Sequence, residues 1–194
     1  MESTTIVPSD ALRRARFEEE ALVQLDALRG FAVKLARGRD DADDLVSDTV
    51  LRAFERWDQY CLGTNIRAWL FTILYHLFVS RRRRIDAREV PDGDGQSGLS
   101  VHDAVGDADP ESRFYDSFFD DEILRAIDAL PDEYRATVVL SDIQEMRYAE
   151  IARILEIPEG TVKSRLFRGR RLLQRRLRDY AETMGYIKVL PLAS

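Results

Sequence analysis

Residues 157–178, IPEGTVKSRLFRGRRLLQRRLR, leave little choice of local structure. Val162, Leu166, Leu173 and Leu177 recur with Gly169 on the same line, the period of a helix lying on a core. Pro158 suits a first helical turn, and Glu159 complements the positive end of a helix dipole. From Lys163 to Arg178 the segment carries eight Lys/Arg and no acid, although the whole chain has a net charge of −6. One face is apolar and the other is a cationic ridge. The expected partner is a polyanion.

The rest of the chain sorts its charge in the same way. Residues 86–122 hold twelve acids against two arginines, while Arg81, Arg82, Arg83 and Arg84 form a second basic block. Residues 1–16 are polar and aperiodic and read as a loose arm. A helical pattern follows over residues 17–37, with Leu22, Leu25, Leu28, Phe31, Ala32 and Leu35 on one side, and Gly38 as its stop. Asp40 or Asp41 is expected to cap the next helix. There Leu45, Val46, Thr49, Val50, Ala53, Phe54 and Trp57 make an apolar face, opposite Asp44, Ser47, Asp48, Arg52 and Glu55. Gly63 breaks the chain, and Thr64 is placed to cap a third helix reaching about Arg84. Trp69, Leu70, Ile73, Leu74, Leu77 and Phe78 would bury it. Four arginines in a row exceed what a helix C-terminus needs for its dipole, though a solvated charge run would also read this way.

Residues 89–113 are rich in Gly, Ser, Asp and Pro and read as a flexible acidic linker between two domains. Pro110 and Glu111 are expected to begin a short helix. Beyond them, Ile123, Leu124, Ile127 and Leu130 start a second helical unit over residues 114–180. Thr137 to Leu140 has strand propensity, but its helical flanks outvote it. Tyr148 to Leu155 reads as a short helix with Ala149, Ile151, Ala152 and Leu155 inward. Residues 181–194 form a tail. The predicted fold is all-α: a first domain over residues 17–88, a linker, and a second helical domain.

A short helix, the turn Glu156-Ile157-Pro158 and a second amphipathic helix make a helix-turn-helix, whose second helix enters the DNA major groove. Glu156 stands where glycine is frequent. Lys163, Ser164, Arg165, Phe167 and Arg168 form the exposed N-terminal part. Arginine bonds a guanine edge with two hydrogen bonds, and serine or lysine bonds bases or phosphate. Arg171, Arg175 and Arg176 suit phosphate contacts or stay solvated.

Several function classes find no support. No run approaches the roughly 18 apolar residues of a membrane span. The N-terminus lacks the apolar core and cleavage site of a secretory signal. The single cysteine, Cys61, cannot form an internal disulfide and fits a reducing cytoplasm. With two histidines, His76 and His102, ligands for an ordinary zinc site are lacking. The acids at Asp40, Asp41, Asp43 and Asp44 suggest a magnesium cluster, yet helix capping explains them more simply. No phosphate-cradling or hydrolase motif appears, so neither a cofactor nor a catalytic residue is expected.

The pattern LRAIDALPDEYRATVVLSDIQEMRYAEIARILEIPEGTVKSRLFRGRRLL resembles region 4 of the extracytoplasmic-function sigma factors of bacterial RNA polymerase. The pattern DADDLVSDTVLRAFERWDQYCLGTNIRAWLFTILYHLFVSRRRR resembles their region 2. Both stand in the family's order. The resemblance implies that residues 158–171 read the promoter −35 element, through Lys163, Ser164, Arg165, Phe167, Arg168 and Arg171. It implies that residues 43–57 dock on the clamp helices of the polymerase's largest subunit through Asp44, Ser47, Asp48 and Arg52, with the polymerase flap as a further contact. Glutamine is frequent in the family where Ser47 stands. The −10 element, on the opened strand, falls to Tyr60, Asn65, Trp69, His76 and Arg81 to Arg84. Stacking on an aromatic face contributes roughly 1–3 kcal/mol per base, and Trp69 reads equally well as core. The resemblance further implies an anti-sigma factor as a partner. A stand-alone helix-turn-helix regulator of duplex DNA is the alternative. It leaves the aromatic, basic third helix without a role.

Overall fold

Phe17 closes the core of the first unit, and it brings a helix with it. The structure, a computed structural model, describes residues 10–36, 39–88 and 121–186. Among these residues there is no strand, and they fall into two compact units divided between residues 90 and 91. The expected linker, the helix start at Pro110 and most of the tail lie outside the described residues.

In the first unit, α1 (Asp10–Glu20) extends into the stretch read as a loose arm, so that reading is corrected for residues 10–16. Phe17, 4% exposed, meets Phe54 and Trp57 edge-on, each at 5.2 Å. Arg13 donates to the Phe54 carbonyl at 2.9 Å, pairs with Asp58 at 3.5 Å and lies over the Phe54 ring. These anchors come from residues distant in the chain, so no local period announces them. The long helix predicted over 17–37 is also interrupted, by a 3-10 turn at Leu22–Gln24 before α2 (Leu25–Leu35). Leu28, Phe31, Ala32 and Leu35 of α2 are buried, as the period requires.

Helix α3 (Arg39–Glu55) begins ahead of the expected cap, so Asp40 and Asp41 lie within its first turn, where they complement the dipole. Ala42, Leu45, Thr49 and Ala53 face inward, and the Thr49 hydroxyl donates to the Leu45 carbonyl at 2.6 Å. A 3-10 turn at Trp57–Gln59 leads to the bend at Gly63, where φ is +83°. Helix α4 (Ile66–Arg88) is capped by Asn65 and not by Thr64: the Asn65 Oδ1 accepts from the Ala68 N–H at 3.1 Å. The Thr64 hydroxyl instead donates to the Cys61 carbonyl at 2.7 Å. Leu70, Phe71, Ile73 and Leu74 bury α4, with Phe71 against Phe31 at 5.1 Å.

The second unit contains α5 (Asp121–Asp128) and α6 (Asp132–Val138), with a π turn at Val139–Ile143. Then come α7 (Tyr148–Leu155), α8 (Glu159–Arg176) and α9 (Arg178–Thr183). The strand-like run at 137–140 is helical and buried. Glu150 accepts from the Arg147 N–H at 2.9 Å and so secures the start of α7. Ile151, Ile154 and Leu155 are buried, whereas Ala149 faces outward, contrary to expectation. An i, i+3, i+4 stripe leaves position 149 on the other side. Glu156 ends α7 in the left-handed conformation, φ 53°, where glycine would be unstrained. The Ile157 N–H closes the turn on the Ala152 carbonyl at 3.0 Å. Pro158 stands just before α8, and Val162, Leu166 and Gly169 bury that helix.

Candidate nucleic-acid interface

Packing decides which side of α8 remains available. With Val162, Leu166 and Gly169 turned inward, Lys163, Ser164, Phe167, Arg168 and Arg171 are exposed. Phe167 is 67% exposed, a large apolar ring standing among cations. A benzyl group facing water on a helix already well buried elsewhere adds nothing to the core, but it suits contact with a base or a thymine methyl. Ser164 donates to the Thr161 carbonyl at 2.9 Å, which orients its hydroxyl and leaves its lone pairs outward.

Arg165 departs from this set. Its guanidinium turns toward α6 and pairs with Glu133 at 3.2 Å, and only 21% of the side chain is exposed. In the structure it ties α8 to α6 and stands apart from the exposed set. At the other edge of the face, Arg170 grips both carboxylate oxygens of Asp142, at 2.5 and 3.0 Å, and donates to the Ser141 hydroxyl at 3.3 Å. The Asp142 hydrogen bonds hold the guanidinium pKa above its already high ordinary value, against a smaller opposing cost of burial.

The first unit separates its expected strand-reading residues into three groups. Tyr60 is 7% exposed, stacks on Trp57 at 5.1 Å and donates its hydroxyl to the Thr64 carbonyl at 2.7 Å. It is corrected to a core residue, since a ring enclosed in this way has no free face for a base. Trp69 is half-buried and meets Tyr60 at 5.2 Å and Trp57 at 6.1 Å, so the structure places it in the aromatic core with one side toward solvent. Ring pairs of this kind contribute about 0.5–1.5 kcal/mol beyond area burial. Asn65 stands exposed at the head of α4 beside Leu62, which is 55% exposed, and His76 is half-buried along the helix. Arg83 and Arg84 are exposed and Arg82 is half-buried. Arg81 folds back onto α3, where it pairs with Asp48 at 2.5 Å and donates to the Asp44 carbonyl at 3.2 Å.

Asp44, Ser47, Asp48 and Arg52 share the exposed side of α3, with Arg52 near Glu55 at 3.7 Å. Leu51, 60% exposed, stands among them and was missed. Its signal was legible, because position 51 lies one turn beyond Ser47 and Asp48 on the polar side of the helical period. Among the described residues no group of three or more His, Cys, Asp or Glu could hold a metal ion, and no helix is long and apolar enough to cross a membrane. Cys61 is exposed.

Residues 23–88 match the family described as Sigma-70 region 2, and residues 120–173 match Sigma-70, region 4. The chain is 37% identical over 180 residues to the ECF RNA polymerase sigma factor EcfG of Rhodopseudomonas palustris, covering 91% of each chain. It belongs to the ECF RNA polymerase sigma factors. It is thus an alternative sigma factor that directs transcription initiation. SigW of Bacillus subtilis is 33% identical over 144 residues, 72% of this sigma factor and 76% of SigW. Among solved structures, the sigma factor RpoE of Bartonella quintana, in complex with the anti-sigma factor NepR, aligns with a TM-score of 0.66 at 33% identity. That alignment covers 84% of this chain and 97% of that one. The region 2 match contains α2, α3 and α4, and the region 4 match contains α5 to α7 with most of α8. Helix α1, which completes the aromatic core of the first unit, lies ahead of both.

Proposed function

We propose that the sigma factor divides promoter recognition between its two units, with α8 reading the −35 element through Lys163, Ser164, Phe167, Arg168 and Arg171. The observation that carries this is the sidedness of α8: a buried stripe of Val162, Leu166 and Gly169 leaves those five side chains exposed on one continuous face. In the first unit the exposed loop before α4, with Asn65, Trp69, His76 and Arg82 to Arg84, receives the opened −10 strand. The acidic side of α3 docks core polymerase. Residues 89–113 link the units. No step of this scheme needs catalysis by the chain itself, and its place of action is the cytoplasm, with core polymerase and promoter DNA as partners. An anti-sigma factor is a further partner, by similarity to the Bartonella protein.

Transcription in vitro with core polymerase over a promoter library tests the scheme. Enrichment of two separated elements at a constant spacing is the expected outcome. Tight binding to duplex DNA without any association with core would instead favour a stand-alone regulator.

Arg168→Ala is expected to weaken transcription and relax preference at one −35 position, by on the order of 1–3 kcal/mol for a lost bidentate base contact. Equal losses on every −35 variant would reduce Arg168 to a phosphate contact. Replacing Arg83 and Arg84 by alanine should flatten the salt dependence of open-complex formation by about 0.7–0.9 per arginine, as fewer counterions are released. An unchanged slope places both side chains away from DNA.

A further inference from the structure

Seven residues after Lys163 is two helical turns, so Arg170 lies on nearly the same line as Lys163, at the border of the exposed face of α8. Tyr148, Lys163, Phe167, Arg170, Arg171 and Gln174 line one shallow groove, which puts Arg170 within the neighbourhood of the reading residues. Its charge is nevertheless already engaged. Both Asp142 oxygens and the Ser141 hydroxyl accept from it. Arg165 at the opposite border is held by Glu133 at 3.2 Å. An acid from a neighbouring segment therefore neutralises an arginine at each border of the face, Glu133 for Arg165 and Asp142 for Arg170, while Lys163, Phe167, Arg168 and Arg171 stay exposed between them.

We infer that Asp142 acts as an internal counter-ion that withholds Arg170 from the DNA backbone and so limits the sequence-independent affinity of the −35 reader. This rests on α8 being that reader. The pair is bidentate, and fork-to-fork geometry holds a guanidinium in one orientation, here toward Asp142. A phosphate would have to displace a carboxylate that grips the arginine with both oxygens. The carboxylate side chain is 33% exposed and its partner 50%, so the pair lies at the surface, where ion pairs contribute little to folding. Its consequence is for binding. Each phosphate contact avoided removes one increment of salt-dependent affinity for every DNA sequence, and a genome offers a vast excess of non-specific sites.

The test uses holoenzyme assembled from the full chain and core polymerase. The probes are promoter fragments selected from a randomised −35 library and the same fragments with the −35 segment scrambled. Asp142→Asn, close to the native shape without the charge, is expected to steepen the salt slope by about 0.9 on both probes. That is roughly a threefold gain in affinity for a fourfold dilution of salt. Arg170→Gln is expected to leave the slope as in the native protein, and the double variant to match Arg170→Gln. An unchanged slope for Asp142→Asn would overturn the inference, as would a shallower slope for Arg170→Gln, which would mean that Arg170 already touches phosphate. A gain that persists for Asp142→Asn in the Arg170→Gln background would also overturn it, by assigning the effect to repulsion from the carboxylate. If scrambling the −35 segment leaves native binding unchanged, it is the assignment of α8 as reader that fails.

Discussion

Gly169→Ala is expected to lower the unfolding midpoint of the second unit, by up to roughly 15 °C, despite alanine's better helix propensity. A Cβ at this position would meet Val138 Cγ2 at 2.8 Å and Tyr134 Cβ at 3.3 Å. Neither neighbour can yield easily. Val138 is 1% exposed, and its branched side chain has essentially one rotamer in a helix. The Tyr134 Cβ is tied directly to the backbone. Overpacking of this kind costs about 1–3 kcal/mol, whereas glycine-to-alanine propensity returns at most about 1 kcal/mol, so the clash wins. The remainder, up to about 2 kcal/mol, corresponds to that shift for a unit of this size, at about 4–8 °C per kcal/mol. Gly169→Val should be worse, because a branched side chain cannot rotate out of the crossing. Thermal denaturation followed by circular dichroism checks both. A midpoint equal to the native one would mean that α6 and α8 separate at little cost, and the sidedness of α8 would then be less strictly imposed than its packing suggests.

Asp48→Arg should abolish stable binding to core polymerase while leaving the helices intact. Reversal of a charge at a desolvated contact costs on the order of 2–5 kcal/mol, about 30-fold to several-thousand-fold in affinity. In the free protein Asp48 already pairs with Arg81, so the reversed side chain would also face a like charge. Arg81→Ala separates the two effects, because it breaks the same pair without altering the acidic side of α3. Loss of binding in Asp48→Arg with retention in Arg81→Ala is the outcome that supports docking through α3. Equal losses in both would assign the effect to the α3–α4 tie. Surface plasmon resonance on immobilised core measures the affinities, and circular dichroism verifies the helices.

The exposed side of α3 was legible because exposure along one helix follows its own period. Asp44, Ser47, Asp48, Arg52 and Glu55 all came out where a 3.6-residue repeat places them. Tyr60 was not legible. Its burial comes from Trp57 and Trp69, which meet only after the 3-10 turn and α4 have packed, and a tyrosine in a loop carries no local mark of that event. Helix α1 was hidden for a similar reason, since Phe17 and Arg13 are held by Phe54 at the end of α3 and by Trp57 and Asp58 in the turn after it.

The amino-acid order was enough to establish helices throughout, two units with an acidic stretch between them, and a greasy stripe opposite a cationic ridge on residues 157–178. Those are properties of one segment at a time: periodicity, capping and charge density are written within a few turns of chain. Which cations of the ridge are available was settled by folding. Asp142 lies 28 residues from Arg170 and Asp48 lies 33 from Arg81, and only the docking of separate helices brings each carboxylate within hydrogen-bonding reach. An ion pair needs contact within about 4 Å, and sequence separation carries no such distance.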